Sequence, residues 1–140
     1  MSFNKIYDIA ATGLSAQRLR VQLIAANVAN VDTTRTPDGG PFRKKDAVFK
    51  VRDMGKTLDG MPLAGVKVAD IHVSNDPYIL KYEPGHPDAN AEGIVTYPNV
   101  NPIEEVVNLT EAARSFDANV NTVRAVRQMG QSALEILRAQ

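Results

Sequence analysis

The chain has 140 residues, of which 44% are hydrophobic and 23% charged, so it suits one modest domain and is too apolar to be wholly disordered. Its 16 basic and 16 acidic residues give a net charge of zero, so no overall field would attract nucleic acid. Because the net charge is zero, we expect no nucleic-acid partner. Because the chain has no cysteine, disulfides, thiolate nucleophiles and cysteine-based metal sites are excluded.

The first segment, residues 1–31, has the apolar spacing of an amphipathic helix that packs along a coiled-coil seam. Its two seam positions hold Phe3, Ala10, Gln17, Ile24 and Val31, and Tyr7, Leu14, Val21 and Val28. Because polar side chains interrupt the first part of this segment, we expect no cleavable signal peptide. Every apolar stretch also falls short of the roughly 20 residues that span a bilayer, so we expect no direct membrane insertion.

The middle segment, residues 32–101, holds most of the prolines and glycines and has no helical periodicity. Short runs of β-forming residues at 47–51, 66–73 and 78–82 predict strands. Turn-forming Asp-Gly and Pro-Gly pairs separate these runs. We therefore expect an extended or β-hairpin region between two helices.

The last segment, residues 102–140, repeats the helical seam of the first. Its two seam positions hold Leu109, Phe116, Val123, Gly130 and Leu137, and Val106, Ala113, Val120, Arg127 and Leu134. Four further apolar residues widen this stripe: Val126, Met129, Ala133 and Ile136. Because one partner helix would not cover so wide a stripe, more than one neighbouring helix is expected.

These segments predict a mainly α fold with a small β-rich insert, in which the N- and C-terminal helices form an antiparallel coiled-coil-like pair. The pair buries one seam and leaves its outer stripes exposed, which favours further association. Asparagine is a poor helix-interior residue, so the amides of Asn27 and Asn30 are expected to bond neighbouring backbone groups or to cap the last turn. The residues predicted to form an assembly interface are Leu14, Val21, Ile24, Asn27, Val28, Asn30, Val106, Leu109, Ala113, Phe116, Val120, Val123, Leu134 and Leu137.

Motifs in all three segments resemble those of the flagellar axial proteins. Residues 22–33 read Gln-Leu-Ile-Ala-Ala-Asn-Val-Ala-Asn-Val-Asp-Thr and resemble the A-N-x-A-N-x-x-T signature that closes the N-terminal helix of that family. Residues 82–101 look like the segment that distinguishes the proximal rod proteins within the family. Residues 104–120 are similar to its closing helix. The resemblance spans nearly the whole chain.

The resemblance implies a non-enzymatic structural subunit of the proximal rod in the flagellar basal body, with no catalytic residues, metal or cofactor. Its partners would be further copies of itself, other proximal and distal rod subunits, the protein at the junction with the export gate and MS ring, and the flagellar type III export apparatus. It would lie in the periplasm, its terminal helices polymerised into a helical drive shaft that transmits motor torque. The seams alone would also fit a soluble coiled-coil adaptor or another helical-assembly subunit.

Some polar side chains could be mistaken for functional sites. His72 and His86 would have to lie beside Asp88 or Glu92 to hold a metal, but a predicted strand and a proline-flanked turn explain their positions. Asp88 and Glu92 are also the best carboxylate pair for an enzyme, yet turn formation accounts for that loop. The cationic run at 43–45 either protects a strand edge or meets an acidic partner, and we favour edge protection.

Overall fold

The structure is a computed structural model that describes residues 3–57 and 60–138, apart from the side chain of Phe3. Its elements in chain order are α1 (Phe3–Ala29), β1 (Lys45–Lys56), β2 (Pro62–Val73), β3 (Ile79–Tyr82), β4 (Ile94–Tyr97) and α2 (Pro102–Arg138). Two long terminal helices flank a β-rich middle segment, which confirms the predicted fold class. The outermost residues of the predicted terminal segments, 1–2 and 139–140, lie outside the described residues.

The two helices run antiparallel along each other. Near the end of α1, the Asn27 side chain bonds the Glu105 carboxylate at the start of α2, with 2.9 Å between the two atoms. Two turns earlier in α1, Arg20 forms an ion pair with Glu111 at 3.3 Å. Later positions of α1 thus meet earlier positions of α2, as an antiparallel pair requires.

Gly13 lets the helices approach closely near the middle of the pair. A Cβ built on Gly13 would lie 3.2 Å from Asn119 Nδ2, which is tighter than an ordinary contact. Continued along the helices, this alignment places the described start of α1, Phe3, opposite about residue 129 of α2. Residues 130–138 of α2 therefore extend beyond the described part of α1.

Local signals fix the start of α2. The Asn101 side-chain oxygen accepts the N–H of Ile103 at 3.0 Å and that of Glu104 at 3.5 Å, as a helix N-cap does. Pro102 occupies the first helical position, where its missing N–H is not needed by the helix. These caps set where α2 begins and therefore help to align it along α1.

The first hairpin, β1 and β2, packs against α1. The strands pair antiparallel from Lys45 opposite Val73 toward the turn, with irregularities in register along the way. Thr12 of α1 accepts the Val66 N–H through its hydroxyl at 3.0 Å. A Cβ on Gly65 would lie only 2.8 Å from the Thr12 hydroxyl oxygen, so glycine is needed where this ribbon meets α1.

The second hairpin, β3 and β4, is held by the loop that follows α1. Its strands pair antiparallel from Ile79 opposite Tyr97. The Thr34 hydroxyl donates to Asp88 at 2.7 Å, and Arg35 also binds that carboxylate. The sequence predicted β3 but not β4, a strand of only four residues.

The buried face of α2 lies one residue before the predicted seam. Glu105, Ala112 and Val126 are buried at multiples of seven residues, whereas the predicted Val106 and Ala113 are exposed. Glu105 is buried instead of Val106 because its carboxylate binds Asn27 and Lys44 in the interior. At one seam position hydrophobicity alone therefore selected the neighbours of the buried residues, whereas Leu109, Phe116 and Val123 of the other position are half-buried.

Candidate assembly interface

Asn27 lies at the centre of a buried polar cluster that joins α1, β1 and α2. Its side chain is completely buried. Its Nδ2 donates to the Lys45 carbonyl at 3.0 Å and to Glu105 Oε2 at 2.9 Å, while its Oδ1 accepts the Lys45 N–H at 3.0 Å. One amide therefore satisfies both backbone groups of a strand residue and a carboxylate from the other helix.

Glu105 brings a carboxylate into the interior, with 1% of its surface exposed. The Lys44 ammonium lies 2.8 Å from Glu105 Oε1, close enough for an ion pair although poorly directed for a hydrogen bond. Burial opposes the charge on Lys44, but its contact with Glu105 and the negative charges of Asp46, Glu105 and Glu104 outweigh that effect and raise the pKa of Lys44. Lys44 and Glu105 therefore form a buried ion pair.

The cationic run at 43–45 acts within the chain, which corrects our preference for edge protection. Lys44 meets its acidic partner in α2, as described above. Arg43 donates to the Ser74 carbonyl at 3.0 Å, and its guanidinium lies 4.4 Å from the centre of the Tyr78 ring. Arg43 and Lys44 therefore connect the segment between the two hairpins to α2.

Asn30 differs from Asn27 because its bonds are local. Its Nδ2 donates to the Ala26 carbonyl at 2.8 Å, and its Oδ1 accepts the Thr33 hydroxyl at 3.1 Å. These bonds satisfy the end of α1, where the helix stops at Ala29. Asn30 thus follows the capping alternative, and Asn27 the alternative of bonding to neighbouring backbone.

The predicted interface residues fall into three groups by exposure. Ile24 and Asn27 are buried within the chain, Leu14, Val21, Val28, Asn30, Leu109, Phe116, Val120 and Val123 are half-buried, and Val106, Ala113, Leu134 and Leu137 are exposed. Only the last two groups leave surface for another subunit. Contact with another subunit stays a prediction for all of them.

Several large apolar side chains are exposed on α2. Leu134 is 57% exposed and Leu137 is 72% exposed, and both lie in the part of α2 that extends beyond α1. Further exposed apolar residues of this helix are Ile103, Val106, Val107, Met129 and Ile136. Exposed apolar surface is typical of sites of protein association.

The sequence analysis missed Glu105 and Lys44 as members of the cluster. The available signal was the seven-residue spacing of Glu105, Ala112 and Val126, which places a charged residue on a seam. A charge at such a position requires a buried partner. Only the folded chain shows that Lys44, from a different element, supplies it.

The histidines do not converge on a common site. His72 is exposed on β2, whereas His86 Nδ1 accepts the Asp88 N–H at 3.0 Å. The hydrogen bond from Thr34 and the charge of Arg35 lower the pKa of Asp88. Residues 3–57 and 60–138 contain no group of three acidic or histidine side chains that could hold a metal. Neither α1 nor α2, as described, is long and apolar enough to cross a membrane.

Comparison with known proteins identifies the family. Residues 8–35 match the family described as Flagella basal body rod protein, and residues 91–136 match the one described as Flagellar basal body rod FlgEFG protein C-terminal. The chain is also similar to proteins named flagellar basal-body rod protein FlgC. That of Borreliella burgdorferi is 41% identical, with 93% of this chain and 94% of the relative covered.

The similarity extends to proteins of other bacteria. The FlgC protein of Escherichia coli O6:H1 is 43% identical, with 92% of this chain and 93% of the relative covered. The FlgC protein of Bacillus subtilis is 36% identical, with 92% of this chain and 94% of the relative covered. Identity of this degree over nearly the full length covers both helices and the middle segment. The chain therefore belongs to the FlgC family of flagellar basal-body rod proteins, and its role is structural rather than enzymatic.

Proposed function

We propose that this rod subunit polymerises through the outer surfaces of α1 and α2. The observation that carries this proposal is the exposed apolar end of α2, where Leu134 and Leu137 have no cover from the described part of α1. Burying them between subunits would remove their apolar surface from water. The helices are already aligned by the Asn27 cluster, so less conformational order has to be gained on assembly.

The three segments of the chain would then have separate roles. Residues 1–31 and 102–140 would form the inner, helical layer of the rod, and residues 32–101 would form an outer layer of contacts. The two hairpins support this division because both are joined to the outside of the helical pair, through Thr12 and through the loop after α1.

The partners proposed are further copies of the chain, other proximal and distal rod subunits, and the protein at the junction with the export gate and MS ring. The flagellar type III export apparatus would deliver the subunit to the periplasm, where the rod is built. The resemblance of the helix signature at 22–33 to the flagellar axial proteins supports this proposal.

Charge placed on the exposed end of α2 tests the interface. The double variant Leu134→Asp/Leu137→Asp should disappear from purified basal bodies of cells that carry it as their only copy, because each buried unpaired charge costs several kcal/mol. The measurement is the amount of chain, detected by antibody, per purified basal body. Normal amounts in the double variant would show that this surface is not an interface.

A matched control separates assembly from folding. The variant Gln128→Asp/Gln131→Asp adds the same two charges to α2, on a polar stripe that continues to Glu135. It should enter basal bodies normally. Both double variants should retain the helical circular dichroism of the isolated chain, since all the altered side chains are exposed in it.

A further inference from the structure

A groove between α1 and the first hairpin gathers positive charge without any acidic residue in its lining. We call it the cationic groove and define it by Arg18 of α1 and Arg52 and Lys67 of the hairpin. All three side chains are exposed. Its remaining lining residues are Thr12, Ser15, Ala16, Leu19, Gln22, Val66 and Val68.

The positive charge of the groove includes a repulsion that destabilises the first hairpin. Lys67 lies directly opposite Lys50 in the strand register, and both are exposed. Like charges placed directly across a strand pair destabilise it. Within the described residues neither lysine has a carboxylate partner, and the same holds for Arg18 and Arg52. A negatively charged occupant would relieve this repulsion.

The chain itself carries matching acidic surface. Between residues 74 and 101 lie four carboxylates and a single lysine, although the whole chain is neutral. One of the four, Asp88, is ion-paired to Arg35. Glu92 is exposed in the turn before β4, and no ion pair holds it within the described residues. Beside it lies Tyr82, which is 74% exposed and packs over Gly93.

The two surfaces are complementary in more than charge. The groove offers arginine together with apolar Leu19 and Val66, whereas the turn offers a carboxylate and an aromatic ring. Arginine binds both carboxylates and aromatic faces. The surfaces also lie on different parts of the chain, so their contact is heterologous, and contacts of this type repeat into a helical array.

We propose that the cationic groove of one subunit binds the Glu92 turn of a second copy of this chain. The inference deepens the proposed function, on which it rests, by adding a contact between outer segments to the helical interface. In this contact Arg52 and Lys67 meet the Glu92 carboxylate, and Tyr82 lies against the apolar side of the groove.

Cross-linking in basal bodies tests the contact directly. Because the chain has no cysteine, the variant Lys67→Cys/Glu92→Cys has only the two introduced thiols. It is expressed as the only copy, and isolated basal bodies are treated with a short bismaleimide. We expect a ladder of dimers and larger multimers. Each single variant should give none, and neither should the control pair Lys67→Cys/Asp38→Cys, whose second site is another exposed acidic residue.

The outcomes separate this contact from the proposed function. Chain present in basal bodies without a Lys67→Cys/Glu92→Cys ladder would overturn the contact and leave the proposed function standing. Dimers from Lys67→Cys alone, or cross-links only to a different protein, would also overturn it. Absence of the unaltered chain from basal bodies would overturn both.

A charge exchange covers the case in which the cysteine variants do not assemble. Lys67→Glu should lower incorporation into basal bodies about fivefold, which corresponds to a loss of roughly 1 kcal/mol. Adding Glu92→Lys to the same chain should restore part of the lost incorporation, because positions 67 and 92 then carry opposite charges again while Arg52 remains in the groove. Failure of Glu92→Lys to restore incorporation would overturn the contact.

Discussion

At the scale of single residues, Asn27 connects three elements through one side chain. It bonds both backbone groups of Lys45 and the buried carboxylate of Glu105. No hydrophobic residue can replace these bonds, since each partner would remain buried without one. This explains why a weak helix former lies on the buried face of α1.

The substitution Asn27→Leu should lower the free energy of unfolding by about 3 kcal/mol, because buried groups left without partners cost more than leucine gains in helix propensity. Urea unfolding of the purified chain measures the loss. Gln22→Leu, at an exposed site on the same helix, is the control and should change stability by less than about 0.5 kcal/mol. Equal stability of Asn27→Leu and the unaltered chain would contradict the role assigned to the cluster.

The Lys44–Glu105 pair predicts a change of stability in alkaline solution. The pKa of Lys44 is raised above its ordinary value of 10.5, so folding favours the protonated ammonium. Its stabilising contribution is complete below pH 10.5 and is lost as the pH rises through the raised pKa. The advantage of the unaltered chain over Lys44→Met should therefore be constant from neutral pH up to 10.5 and shrink above it.

Urea unfolding of both chains at increasing pH measures this difference. Tyr97 also has a raised pKa, because of its hydrogen bond to Glu83, its burial and nearby negative charge. It is present in both chains, so its titration cancels in the comparison. An advantage that stays constant well above pH 10.5 would show that the Lys44 charge does not stabilise the fold.

At the scale of elements, the two helices differ in length. α1 has 27 residues and α2 has 37, so at 1.5 Å per residue they measure about 40 and about 55 Å. Their alignment leaves residues 130–138 of α2 without a helical partner in the described part of the chain. Helical turns without tertiary packing are marginally stable in water.

The unpaired end of α2 should exchange its amide hydrogens faster than the paired part. In a dilute monomeric sample, residues 130–138 should exchange many times faster than residues 105–126, whose buried face packs on α1. In assembled rods the same amides should become protected. Hydrogen–deuterium exchange read by mass spectrometry measures both states. Uniform protection along α2 in the monomer would contradict this.

At the scale of the whole molecule, the chain exposes more surface than a compact protein. Its accessible surface is 9687 Å², compared with about 7,100 Å² expected for a compact monomer of 15.2 kDa. The difference is large enough for a stable interface. The exposed end of α2 and the many exposed residues of β1, β2 and β3 account for the additional surface.

Because assembly buries this surface only in the folded state, stability should depend on concentration. The midpoint of thermal unfolding should rise as the purified chain is concentrated, by mass action. The variant Leu134→Asp/Leu137→Asp should show a weaker rise, since it lacks the proposed apolar contact. Circular dichroism melts over a dilution series measure both. A midpoint independent of concentration in the unaltered chain would argue against association through folded helices.

Much of the plan could be predicted from the pattern of residues. Helical spacing of apolar side chains defined both terminal helices, and turn residues defined the β-rich insert between them. The strand β4 was missed, although it is as long as β3 and consists of β-forming residues. The sequence also identified the helices of the candidate interface, but at one of the two seam positions of α2 the buried residues, Glu105 and Ala112, lie one residue before the predicted ones.

The sequence by itself determined the two terminal helices, the β-rich insert between them and the family, since these depend on residues that are near one another along the chain. The tertiary structure alone decided which face of α2 is buried, because Glu105 is stabilised by Asn27 and Lys44, which are distant in sequence. It also decided which apolar residues remain exposed, among them Leu134 and Leu137. These residues remain exposed because the two helices have unequal lengths and α2 extends beyond the described part of α1. The alignment of the helices depends on contacts between them, such as that at Gly13, which exist only in the folded chain.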